Sequence, residues 1–152
     1  NFCKNILPNL VDSNPEIKFF IVGRNPTSEI LNLQSDNIII VGEVNNMIQH
    51  LSRYQIYISP LRIGAGFKNK IVEAVIANLP IVCTQLSLQG INLIDRQDVL
   101  VSDLNADFSD NIKKIIYDNG LERSLIKNAE KAVRENYNWD SILQKYIDSI
   151  EC

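Results

Sequence analysis

Between residues 17 and 102, short β-branched apolar runs alternate with amphipathic stretches, which restricts the chain to βαβ units built around a parallel sheet. Four runs are clear: 17–22 closing at Gly23, 38–41 closing at Gly42, 55–59 closing at Pro60, and 80–84. A weaker fifth covers 99–102. Their nearly unbroken apolar character, as in Ile38-Ile39-Ile40-Val41, is that of strands covered by helices on both faces. Ile6, Leu7 and Leu10 predict one helix over 2–10, Met47, Ile48 and Leu51 predict another, and 27–33 reads as a shorter one. Phe67, Ile71, Ala74 and Val75 form one stripe of a further helix while Val72, Ile76 and Leu79 form a second, so most of its circumference should be buried.

Beyond residue 104 the pattern changes to three helices. Phe108, Ile112, Ile115 and Ile116 mark the first, Leu121, Leu125, Ala129 and Val133 the second, and Trp139, Leu143, Tyr146 and Ile150 the third. Gly120 and residues 136–138 are read as their separators. The expected fold is α/β, a Rossmann-like parallel sheet with helices on both faces and a C-terminal helical segment, in a single domain over 1–152, a size that one core can serve.

Several function classes are excluded at this stage. A net charge of −3 with interspersed signs gives no basic face for nucleic acid. No apolar run approaches the ~20 residues of a membrane span. Cys3, Cys83 and Cys152 are odd in number and form no CxxC pair, which disfavours a disulfide framework or a zinc site and fits a reducing cytosol. The chain opens at Asn1 with residues already helical in character, and is read as a segment of a longer polypeptide. Open parallel sheets bind ligands beyond the carboxyl ends of their strands, so the loops after residues 22, 41, 59 and 84 are where chemistry is expected.

The segment 59–84 runs strand, glycine loop, helix, turn, strand. Gly64 and Gly66 let the backbone approach a ligand, and the helix starting near Phe67 turns its N-terminal N–H groups and positive dipole end toward the same place. Arg62, Lys68 and Lys70 add positive charge. Glu73 follows Lys70 by three residues and shares its helix face, within reach of vicinal ribose hydroxyls if Lys70 meets a diphosphate. The plain alternative is a tight turn followed by a solvated Lys/Glu pair worth ~0.2–0.5 kcal/mol. An otherwise buried helix favours the first reading, because its remaining polar face should open on a cleft.

The stretch PLRIGAGFKNKIVEAVIANLPIVCTQLSLQGI resembles the donor-site core of family 4, group 1 retaining glycosyltransferases of the GT-B fold, in particular a PLR-x-G-x-G-x-x-x-K-x-x-E-A pattern. Upstream, PEIKFFIVGRNP and NIIIVGEVNNM resemble the second and third strands of that domain, and RENYNWDSI resembles its closing helices. The resemblance implies a nucleotide-sugar donor as ligand, with Lys70, Arg62 and the Gly64, Ala65 and Gly66 backbone at the diphosphate. It places Glu73 at the ribose, Gly42, Glu43 and Val44 beside the base, and Thr84 and Gly90 on a loop over the donor. It implies no metal and no cofactor. Two departures stand out. Ala65 occupies the place of the first of two glutamates spaced by seven residues, so donor-sugar contacts of that residue do not transfer. The family domain's first strand, its glycine loop and a basic residue near it are absent, as is the N-terminal acceptor domain. In the order 3-2-1-4-5-6 that strand is central, so its absence should expose two sheet edges: either the second and fourth family strands pair directly, or another chain fills the gap, or residues outside this sequence occupy it.

The parent protein is thus expected to be a cytoplasmic hexosyl-type transferase of polysaccharide synthesis, acting on a glycan or lipid-linked acceptor and inactive as this fragment. Peripheral association with the inner membrane face and oligomer formation through the sheet edges stay open. The competing readings are a non-catalytic doubly wound binding module and half of a sugar-nucleotide epimerase. His50 lacks an identifiable partner and is read as a surface or helix-end residue. Trp139 and Tyr146 are read as core anchors, Cys83 as a small apolar core residue, and Asp103, Asp107 and Asp110 as helix-start acids.

Overall fold

The computed structural model describes residues 1–64, 66 and 68–137. Ala65, Phe67 and the third C-terminal helix, with Trp139 and Tyr146, lie outside them. The chain opens with two short helices, α1 (Phe2–Asn5) and α2 (Leu7–Ser13), and continues through β1 (Phe19–Val22), α3 (Ser28–Leu31), β2 (Ile38–Gly42), α4 (Met47–Leu51) and β3 (Tyr57–Ser59). Then come α5 (Asn69–Ile76), β4 (Ile81–Cys83), a 3-10 turn (Gln85–Leu88), β5 (Leu100–Val101), α6 (Ala106–Tyr117) and α7 (Asn119–Asn136).

The strands other than β2 begin later than the apolar runs suggest, because a strand starts where a ladder partner exists. Phe19 N–H reaches the Asn37 carbonyl at 2.7 Å and Tyr57 N–H the Pro80 carbonyl at 3.0 Å, and the β1 and β3 strands open at those residues. The helix expected over 2–10 is broken at Ile6. Pro8 has no N–H for the Lys4 carbonyl, but it is tolerated in the first turn of α2, where that donor is not needed. Gly120 is not a separator. It lies in the first turn of α7, and the break falls at Asp118, whose Oδ1 accepts from Gly120 N and Leu121 N, both at 2.9 Å. Removing this cap with Asp118→Ala should cost ~1 kcal/mol of stability, readable as a lower urea midpoint with an unchanged slope.

All pairings within the strands are parallel. β1 pairs with β2, and β3 pairs with β4, which pairs with β5, giving two separate sheets among the described residues. Side-chain alternation along β4 shows why helices must cover both faces. Ile81 and Cys83 pack with α5 and α7 through Ile71, Val75, Ala129 and Val133, whereas Val82 shares a cluster with α1, α2 and α6 through Phe2, Leu10 and Phe108. Phe108 is fully buried, and the Phe2 ring lies between it and Phe19, at 5.8 and 4.9 Å.

The free edges of β1 and β3 face a common cleft of 850 Å³, lined on one side by Phe19, Phe20, Ile21 and Val22 and on the other by Gln55, Ile56, Tyr57 and Ile58. Leu10 and Ile112 close one face and Leu51 and Leu79 the other. The direct pairing that would have closed this gap is not made.

Candidate functional site

The glycine loop leaves β3 at Ser59 and enters α5 at Asn69. Gly64 (φ 141°) and Gly66 (φ 83°) both adopt backbone conformations that a side chain would strain, which explains the spacing of the two glycines. A Cβ at Gly64 would come within 3.3 Å of the Lys68 Nζ, so the lysine amine is folded back over the turn. The helix begins two residues later than the apolar stripe suggests. Lys68 takes the N-cap position without a side-chain hydrogen bond to the helix end, and that end carries no acidic residue in its first turn. Such an end presents backbone donors and the positive pole of the helix.

Five consecutive residues of α5, Ile71 to Val75, are buried, so this helix is covered nearly all round as its double stripe requires. Glu73 is among them at 5% exposure. Its carboxylate is met by Lys70 Nζ at 3.2 and 2.9 Å. The lysine side chain is 59% exposed and is among the residues lining the cleft between β1 and β3. The pair is therefore asymmetric, with a buried anion holding an accessible cation at the cleft.

Tyr57 lies along the same cleft. Burial, and then the negative charge of Glu73, push its phenol up to about 12, so it stays neutral at ordinary pH. Cys83 is likewise pushed up to about 12, by burial and then by Asp95, and behaves as a core residue.

The other residues singled out in the sequence lie on several strand ends, loops and helices. Arg62 is exposed on the glycine loop. Gly42 ends β2 in the neighbouring sheet and Glu43 and Val44 follow it, Glu43 pairing with Arg24 at 3.3 Å across the loops after β2 and β1. Arg24 carries a signal of its own in the sequence, its place directly after Gly23 at a strand end. Thr84 is buried at the end of β4, with its hydroxyl on the Leu61 carbonyl at 2.7 Å. Gly90 is exposed and its carbonyl accepts from the Tyr137 hydroxyl at 3.2 Å. His50 does have a partner, the Tyr54 hydroxyl at 2.6 Å from Nε2. At the start of α6 the cap is Asn105, whose side chain accepts from Asp107 N, while Asp107 occupies the first turn. Among the described residues no cluster of three or more His, Cys, Asp or Glu could hold a metal ion, and no helix is long and apolar enough to cross a membrane.

Solved structures share this architecture. TarM of S. aureus, solved with fondaparinux, alpha-GlcNAc-glycerol and UDP, matches 94% of this chain over 31% of its own, at 20% identity and a TM-score of 0.72. HepE of Anabaena, solved with UDP-glucose, matches 96% of this chain over 44% of its own, at 14% identity and a TM-score of 0.76. The C-terminal domain of the group 1 family glycosyl transferase LpcC from Francisella tularensis matches 85% over 74%, at 14% identity and a TM-score of 0.70. These likenesses establish the GT-B Rossmann-like fold, and the chain spans less than half of TarM and HepE. Among curated proteins no sequence matches. The family profile of the group 1 glycosyl transferases, in contrast, matches residues 1–118 of the 152, and the chain belongs to that family.

Proposed function

We propose that this chain is the donor-binding domain of a retaining glycosyltransferase, which moves a hexosyl group from a nucleoside-diphosphate sugar to a glycan or lipid-linked acceptor. The observation that carries the reading is the Lys70–Glu73 pair one turn into α5, behind two glycines in conformations that open the backbone to a ligand. Lys70, Arg62 and the backbone at Gly64, Ala65 and Gly66 neutralise the diphosphate. Glu73 accepts the ribose hydroxyls. Gly42, Glu43 and Val44 border the base, and the loop carrying Gly90 lies over the sugar. TarM and HepE, solved with UDP and with UDP-glucose, support a uridine nucleotide as the first ligand to try.

In this reading the leaving diphosphate is stabilised by fixed positive charge, without a metal or a protein cofactor. The acceptor and the rest of the catalytic face come from an N-terminal domain. The enzyme works in the cytoplasm, at the inner membrane face if its acceptor is lipid-linked. The chain segment leading into Asn1 supplies a strand for the cleft between β1 and β3. Crossover handedness supports this. α4 and α5 lead on to β3 and β4 over one face of the sheet and α2 enters β1 over the other, so a right-handed connection into β1 must start on its β3 side.

Titrating UDP, GDP and ADP against thermal stability tests the assignment. One of the three should raise stability by ~2.7 kcal/mol at 100-fold its Kd. Indifference to all three, with the cleft strand restored, contradicts it.

A further inference from the structure

Two buried hydroxyls connect the start of the glycine loop to the segment after β4. Thr84 and Ser87 are 6% and 0% exposed, and Ser59 is 7% exposed. Thr84 Oγ1 donates to the Leu61 carbonyl at 2.7 Å, Ser87 Oγ donates to the Ser59 carbonyl at 2.7 Å, and the two hydroxyl oxygens are 3.0 Å apart. Each hydroxyl owns one proton. Both protons are committed to carbonyls of the loop strand, which leaves neither for an outside ligand. Ser59 closes β3, and Pro60 has no N–H to offer a ladder, so the chain departs from the sheet at this point. The carbonyls on either side of the proline are the two that the hydroxyls hold.

The segment carrying these hydroxyls is itself pinned. Tyr137, at the end of α7, donates to the Gly90 carbonyl at 3.2 Å and accepts from Asn92 N at 3.0 Å. Residues 84–92 are thus tied to the glycine loop at one end and to a long helix at the other. Among the described residues this is a direct polar route from the helical segment to the loop that carries Arg62 and Gly64.

We infer that Thr84 and Ser87 are positioning residues, which set the path of residues 59–64 and so the placement of Arg62 and the Gly64 backbone against Lys70, without touching the donor themselves. The inference rests on the donor-site reading above for its kinetic consequence, and on the hydrogen bonds alone for its structural one.

The test uses the full-length enzyme with Thr84→Val, which keeps the size and removes the hydroxyl, Thr84→Ser, which keeps the hydroxyl, and Ser87→Ala. Amide hydrogen exchange in peptides spanning 59–68 should accelerate in Thr84→Val and Ser87→Ala and stay at the wild-type rate in Thr84→Ser. The donor KM should rise about tenfold in Thr84→Val, with the acceptor KM unchanged, as expected for misplacement of binding groups. Thr84→Ser should restore it. Should Thr84→Val prove unstable, Ser87→Ala and the serine variant carry the comparison. Wild-type exchange across 59–68 in both hydroxyl-deleted variants overturns the positioning role, whatever the kinetics. Faster exchange with an unchanged donor KM, while Lys70→Ala does raise that KM, overturns the kinetic consequence. If Lys70→Ala has no effect either, the donor-site reading is what fails, and the exchange data still decide the positioning role.

Discussion

Replacing Lys70 with alanine is expected to lower kcat/KM for the nucleotide-sugar donor by about 10²–10³-fold in the full-length enzyme, the range seen when one preorganised donor to a developing negative charge is removed. The fold should survive. The lysine side chain is 59% exposed but the Glu73 carboxylate it meets is buried, so loss of the lysine should also lower the melting temperature. Glu73→Ala should also damage donor use, by about 10–100-fold if one charged hydrogen bond of ~1.5–3 kcal/mol to the ribose is lost. Because Glu73 is buried, its own loss should lower the melting temperature as well. Steady-state kinetics with donor varied at fixed acceptor reads both. Wild-type kcat/KM in Lys70→Ala would remove the pair from the site.

Extending the chain by the segment that leads into Asn1 is expected to stabilise it by several kcal/mol. The cleft between β1 and β3 is walled by apolar side chains from both strands and closed on both faces by Leu10, Ile112, Leu51 and Leu79. A strand seated there would be buried on both sides, and each large apolar side chain it brings contributes about 1.5–3 kcal/mol. Ordering the backbone costs about 1–2 kcal/mol per residue, so a five-residue apolar strand leaves a net gain smaller than the sum of its contacts. The N–H and C=O groups on the facing edges of β1 and β3 gain partners as well. Urea unfolding of the extended and the 152-residue chains gives the difference, and slowed amide exchange in β1 and β3 locates it. Equal midpoints, with exchange at those edges unchanged, would mean that nothing from this segment enters the cleft.

Much of this was readable in the residues because the physics is local. β-branched runs ended by Gly23, Gly42 and Pro60 fix strands and their loops, and the double stripe on α5 announces a helix buried nearly all round. The Lys70–Glu73 pair follows from three-residue spacing on one helix face. What the sequence did not yield depends on partners distant along the chain. Where β1 and β3 begin is set by the carbonyls of Asn37 and Pro80, and the Arg24–Glu43 pair forms only because β1 and β2 lie side by side. The break at Ile6 and the cap at Asp118 were local but masked by stronger signals, an apolar stripe in one case and a glycine in the other. The destination of the Thr84 proton, the Leu61 carbonyl, emerges only once β3 and β4 pair.

A crystal structure of the full-length enzyme with a nucleoside diphosphate bound addresses the donor grip most directly. The predicted outcome is a pyrophosphate oxygen within hydrogen-bonding distance of Lys70 Nζ at the N-terminal end of α5, and ribose hydroxyls on the Glu73 carboxylate. A diphosphate lodged elsewhere, with Lys70 and Glu73 still bound only to each other, would contradict the account.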